Sequence, residues 1–300
     1  MKTKLVLLTA AIAMSHSTRV FAQSSNATIT TPATAPASDP AVTTAATTNT
    51  ATIETNPGIK PVLKYTGFVH GPAADFHGSE QSAQIGSGGA FDLDSRAKFG
   101  VKLNETLETG AEIRFTTTFN PDKMKVTNGS SRLYASFKNV YKDELVAVGL
   151  IPRIVLPTSD TSHNTHMTFS PEFIVNVDIA PKNSRFTFNT GLQVIQHLYS
   201  ESVSAASAGA RQTTIDPWAE VDYQLNPKVQ LMVSYWPDWA TSRSNSAPTE
   251  RAHEIDVGAY IEVAKGWQLN PYLATDFQGL KNASLEKNTQ INLAISGTVL

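Results

Sequence analysis

The side chains that could do chemistry here are histidines and charged residues, because the 300-residue chain has no cysteine. That removes disulfides, thiolate metal sites and a thiol nucleophile. His77-Gly78-Ser79 sets a histidine two residues from a serine. On one strand face that spacing would let an imidazole activate a hydroxyl, but the trio falls in a stretch between strands. Ser162 and His163 are adjacent and would face opposite ways in a strand. Asp160, His163 and His166 offer oxygen and nitrogen ligands in one polar segment, yet two histidines in a loop are a weak metal signature. His70, His197 and His253 read as polar residues near loop rims. No catalytic set, metal or other cofactor is expected, and the chain does not read as an enzyme.

The charges carry more pattern. Lys64, Arg96, Lys98, Lys102 and Arg114 fall early, and Glu220, Asp222, Glu254, Asp256, Glu262 and Asp276 fall late, with Glu172 and Asp178 between. Within each run they share parity, and apolar residues hold the other parity. Ala97, Phe99, Val101 and Leu103 alternate with Arg96, Lys98, Gly100 and Lys102. Phe173, Val175, Val177 and Ile179 oppose Glu172, Asn176 and Asp178, and Ile255, Val257, Ala259, Ile261 and Val263 oppose Glu254, Asp256, Gly258, Tyr260 and Glu262. A period of two over nine to eleven residues is that of strands with one apolar face.

About twelve such strands are predicted: 62–69, 92–103, 110–119, 131–139, 144–151, 171–180, 184–198, 214–225, 228–237, 253–264, 267–277 and 288–299. Connections after even-numbered strands are short, as at Asn226-Pro227, and those after odd-numbered strands are mostly long. Short turns on one rim and long loops on the other, with an even strand count, describe an all-β, transmembrane, antiparallel up-and-down β-barrel. A soluble sandwich alternates too, but it needs a second sheet over each apolar face and would not call for uninterrupted faces of bilayer-crossing length.

Ahead of the strands, Met1 to Ala22 has the form of a secretory signal peptide: Lys2 and Lys4, the apolar run Leu5–Met14, then Val20-Phe21-Ala22 before Gln23. Residues 23–60 are rich in Ala, Thr, Ser and Pro, and so read as a disordered linker that cannot bury enough apolar surface to order itself. The expected organisation is signal peptide 1–22, linker 23–60 and barrel 61–300. Averages hide this order: 24 Lys+Arg against 26 Asp+Glu, a pI near 6.4 and a mean hydropathy of −0.18 look like a soluble globule. The near balance of charge excludes a protein that holds nucleic acid by its overall field.

Residues 94–119 (DSRAKFGVKLNETLETGAEIRFTTTF) resemble an early hairpin of Gram-negative general porins, and 131–152 (SRLYASFKNVYKDELVAVGLIP) resemble the hairpin that leads into their third loop. The resemblance implies an outer-membrane channel for passive diffusion of small hydrophilic solutes or ions, in contact with outer-membrane lipid and with a homo-oligomer left open. Twelve strands rather than sixteen or eighteen imply a smaller pore.

Apolar faces toward lipid put the charges inside. Strand order then gathers Lys64, Arg96, Lys98, Lys102 and Arg114 on one arc of the lumen, and Glu220, Asp222, Glu254, Asp256, Glu262 and Asp276 mainly on the opposing arc. The segment 152–170, in the order of the porin third loop, is the candidate constriction through Arg153, Asp160, His163 and His166. Trp218 shares the interior parity of Glu220, as packing or as a stacking surface for a sugar. Tyr199, Trp236, Trp239, Trp267 and Tyr272 lie near strand ends, where rings meet headgroups. Two other functions compete with the channel: a structural or adhesive barrel working through its long loops, and an outer-membrane lipase. The lipase family uses His-x-Ser on a lipid-facing strand with an Asn orienting the histidine, a pattern that His77-Gly78-Ser79 does not meet.

Overall fold

The structure, a computed structural model, describes residues 59–72, 91–120, 123–200, 210–244, 249–277 and 289–299. The signal-peptide and linker readings, His77-Gly78-Ser79 and much of the long-loop sequence lie outside the described residues.

Among the described residues fourteen strands form in chain order: β1 Lys60–Pro72, β2 Phe91–Lys102, β3 Leu107–Asn120, β4 Lys123–Asn128, β5 Arg132–Lys142, β6 Val146–Val155, β7 Met167–Ile179, β8 Phe186–Gln196, β9 Leu198–Tyr199, β10 Arg211–Asn226, β11 Val229–Ser242, β12 Thr249–Ala264, β13 Trp267–Asp276 and β14 Thr289–Thr298. A one-turn helix, α1 (Asp160–Asn164), stands between β6 and β7. Each wall strand pairs antiparallel with its neighbours, and β1 pairs with both β2 and β14, for example Lys64↔Lys98 and Lys64↔Thr298, so the sheet closes on itself. β4 hairpins onto the far half of β3 and β9 onto β7. The other twelve strands are the wall of a closed barrel, and all twelve sequence-predicted strands are among them.

β4 was expected to be loop. It carries the same alternation, Met124 and Val126 against Lys125 and Thr127, in a run of six residues. Several wall strands also run further toward the long loops than their alternation does: β7 begins at Met167 and β10 at Arg211. There the cross-strand ladder, not a buried face, holds the chain extended.

Three of the short turns use one device. The Oδ1 of Asn104 accepts from the backbone N–H of Thr106 and Leu107, both at 2.8 Å. Asp143 does the same for Leu145 (2.8 Å) and Val146 (2.7 Å), and Asn226 for Lys228 (2.9 Å) and Val229 (3.1 Å). Asx side chains thereby stand in for the backbone acceptor that a tight reversal lacks. The Lys265-Gly266 turn instead places Gly266 at φ 77°, in the left-handed region open to glycine.

Parity sorts the two faces of the wall. Phe99, Ile113, Phe173, Val221, Val233, Val257, Leu273 and Leu293 are exposed on the outside. The buried residues are inside, where Ile174, Ile195, Trp218, Met232 and Tyr272 pack among charged and polar side chains.

Candidate functional site: the charged interior wall

On β1 to β3 the basic side chains stand among glutamates. Register sets Lys98 opposite Glu112 and Arg96 opposite Arg114 across β2 and β3. Glu112, 2% exposed, receives Lys98 Nζ at 3.4 Å, Arg132 Nη1 at 3.3 Å and Arg114 Nε in a short contact. Arg132 then reaches across to Glu172, its Nε 2.8 Å from Oε2. Glu172 also receives Arg153 Nη1 at 3.1 Å and the amide of Gln193 at 3.0 Å. Nearer the short turns, Glu108 takes Lys64 Nζ at 2.8 Å and the hydroxyl of Tyr134 at 3.0 Å. Arg96 lies over the Phe68 ring at 4.7 Å, and Lys98 over the Tyr134 ring at 5.6 Å. Lys102 sits at the short-turn rim, in register with Lys60 and Glu108.

A buried charge taken from water is stable only when paired and hydrogen-bonded, and this arc supplies carboxylates for the purpose. Glu108, Glu112 and Arg132 were not among the expected site residues, though parity marks all three. The even-numbered interior face of β3 holds Glu108, Glu112 and Arg114 together.

The acidic arc, half the circuit away on β10 to β13, is built differently. Asp222 accepts from Asn189 Nδ2 at 2.7 Å and Thr187 Oγ1 at 3.3 Å. Glu220 accepts from the hydroxyl of Tyr260 at 3.2 Å, and Asp256 from Ser234 at 3.1 Å. These donors are neutral. Glu254 faces Trp236 on one side and Asp276 on the other, and Asp276 lies at the long-loop end of β13. Glu262, exposed near the opposite rim, pairs in register with Gln268. The arc therefore runs along the height of the wall rather than in a ring. Asp216, one step above Trp218 on β10, joins it and was not expected.

The segment 152–170 is less of a loop than its sequence suggests. Arg153 lies in the wall on β6, opposite Tyr134 and Glu172, because the ladder continues to Arg132↔Val155. Only 156–166 leave the wall. Ser162 there is held by the hydroxyls of Ser130 (3.0 Å) and Ser159 (2.6 Å), and Thr158 Oγ1 donates to Gly129 O at 2.9 Å. These bonds tie the loop to 129–131 at the rim, and Asp160, His163 and His166 are exposed on it. Among the described residues no three acidic or histidine side chains gather as a metal site would need.

Two aromatics expected at the headgroup level point inward instead. Trp236 shares the parity of Ser234 and stacks on Trp218, ring centroids 5.5 Å apart and planes 16° apart. Tyr272 is buried opposite Asn292. Trp218 is 5% exposed and one ring is covered by Trp236, which leaves little of it as a sugar platform.

Among the described residues a serine and a histidine pair inside the wall. Ser170 Oγ lies 2.9 Å from His197 Nδ1, on the interior of β7 beside the end of β8. Ser170 is 0% exposed and its hydroxyl also meets Met167 Sδ at 3.2 Å, so it cannot attack an ester arriving from outside the barrel.

No family model matches the sequence, and no curated protein matches it. By structure the chain is similar to the COG4313 outer membrane channel from Pseudomonas putida F1, with a TM-score of 0.55 and 12% identity over 80% of this chain and 96% of that one. The KdgM porin gives a TM-score of 0.43 at 8% identity, covering 79% of this chain and 98% of the porin. The outer membrane phospholipase A from Escherichia coli gives 0.40 at 10%, covering 79% and 90%. The closed circuit of twelve antiparallel strands, apolar outside and charged inside, is the fold of the porin-like outer-membrane β-barrels.

Proposed function

We propose that this chain is an outer-membrane channel of a Gram-negative bacterium, through which small hydrophilic solutes or ions diffuse passively. The observation that carries the reading is the sorting of the wall. Apolar side chains such as Phe99, Val221, Val257 and Leu293 cover the outside, while charged and polar side chains such as Lys98, Glu112 and Asp222 stand on the interior. In water each exposed large side chain forgoes about 1.5–3 kcal/mol of burial, whereas lipid removes that cost. Inside, Lys64, Arg96, Lys98, Lys102 and Arg114 oppose Glu220, Asp222, Glu254 and Asp256, and the field between them orients polar solutes and disfavours apolar ones. The barrel would work without catalytic residues or cofactor, set in outer-membrane lipid, with the exposed Asp160, His163 and His166 at its mouth rather than deep in the wall. Residues 1–22 would direct export and 23–60 would tether.

Single-channel recording in planar bilayers tests this. Discrete conductance steps from the folded protein are expected. A barrel that is folded by its electrophoretic shift on heating, yet silent, would refute the channel.

A further inference from the structure

The acidic arc contains an arrangement that conduction alone does not require. β10 turns Asp216, Trp218, Glu220 and Asp222 to the interior, and β11 turns Ser234 and Trp236 beside them. The stacked indoles are fixed in place: Trp236 Nε1 donates to Ser234 Oγ at 2.7 Å, and that hydroxyl donates to Asp256 Oδ2 at 3.1 Å. Trp218 is seated over Gly191, where a Cβ would lie 2.1 Å from its Cζ2. Carboxylates surround the pair, with Asp216 and Glu220 on either side of Trp218 along β10 and Glu254 across from Trp236.

A separate observation points to a ligand. Asp216 is 4% exposed and its Oδ2 has no hydrogen-bond partner, and Asp222 is 2% exposed with Oδ1 in the same condition. Asp216 has Asp238 and Glu172 among its charged neighbours as well as Arg211 and Arg132, and a carboxylate drawn out of water beside other carboxylates is costly unless cations compensate it. A metal ion needs three or more ligands converging on one point, and among the described residues none converge so. These acids are instead strung along a wall. Asp216 and Glu220, four residues apart on one strand, have Cα atoms roughly 13 Å apart at the rise of an extended chain. The indole pair fills the space between.

We propose that this stretch of wall is a binding station for linear aliphatic polyamines, whose ammonium groups sit at Asp216 and at Glu220–Asp222 while the methylene chain lies on the half-buried ring of Trp236, which Trp218 backs. Ring faces and carboxylates both attract ammonium, and the methylenes match the apolar surface between them. The proposal deepens the channel reading by naming a solute class for the same lumen.

The full chain, folded in detergent micelles, is titrated with spermidine by calorimetry and competed with magnesium at equal ionic strength. Saturable binding is expected, at least tenfold weaker in Asp216→Asn and in Glu220→Gln, with magnesium a poor competitor. Asp216→Asn should also keep or raise the unfolding temperature, whereas a carboxylate that only braces the fold would lower it on removal. If Asp216→Asn fails to fold, Asp222→Asn carries the same expectation. Absence of saturable binding, affinity unchanged in the folded variants, or equal displacement by magnesium would overturn the proposal. Spermidine binding by a barrel silent in planar bilayers would refute the channel and leave the station standing. Conduction without spermidine binding would do the reverse.

Discussion

The two arcs of the interior wall solve the same electrostatic problem in opposite ways. On β2 to β7 cations share buried anions: Glu112 gathers Lys98, Arg114 and Arg132, and Glu172 gathers Arg132 and Arg153. On β10 to β12 the carboxylates of Asp222, Glu220 and Asp256 meet amides and hydroxyls instead. The first arc is a braced section of wall whose charges are largely satisfied by each other. In the second, Asp222 and Glu220 accept from neutral amides and hydroxyls. The difference separates carboxylates that bind buried cations within the wall from carboxylates that are hydrogen-bonded by neutral donors.

The sharpest way to break that comparison is to remove one acid from each side. Glu172→Gln leaves Arg132 and Arg153 buried without their shared carboxylate, and should lower the unfolding free energy by about 3–5 kcal/mol. Asp222→Asn keeps an acceptor for Asn189 and Thr187 and removes a charge, so urea unfolding of the folded barrel should show no loss. Equal losses in the two variants would erase the distinction.

A middle-sized effect comes from Gly191. An added Cβ would sit 2.1 Å from Trp218 Cζ2 and 2.3 Å from Val175 O, so Gly191→Ala should cost about 1–3 kcal/mol by overpacking. It should also unseat the indole pair, read as loss of the near-ultraviolet circular dichroism of the stacked tryptophans. An unchanged spectrum would mean that the pair does not depend on that seat.

The smallest effect lies at a short turn outside the wall. The Tyr141 hydroxyl, donating at 2.7 Å, and the N–H groups of Val146 and Leu145 hold the Asp143 carboxyl below its ordinary range. A carboxyl lowered in the folded state adds stability above its unfolded value, and that stability is lost as pH falls through the lowered one. The gap in unfolding midpoint between the native chain and Asp143→Ala should therefore be small at neutral pH and close in strong acid. A gap independent of pH would assign the turn's stability elsewhere.

The wall was legible in the sequence because a barrel strand must alternate. Parity alone put Lys98, Arg114, Glu220 and Asp256 on the interior and Phe99, Val221 and Val257 outside. The same rule places Trp236 and Tyr272 inside. Reading them by nearness to strand ends let a weaker rule override a stronger one. Where alternation fails, legibility fails with it. Pro152 breaks the alternation ahead of the apolar patch Ile154–Leu156, so the segment looks like loop, yet the ladder with β5 and β7 carries β6 through Val155 and sets Arg153 against Glu172. β4 was too short to stand out. The pairing of Arg132 with two glutamates from different strands depends on register, which no single strand encodes.

The most direct test of the charged channel is the reversal potential across a planar bilayer under a potassium chloride gradient, for the native chain and for Arg96→Gln combined with Lys98→Gln. The account predicts discrete channels in both and a shift toward cation selectivity in the variant, as the acidic arc comes to dominate the lumen. A reversal potential that does not move between two conducting, folded proteins would contradict it.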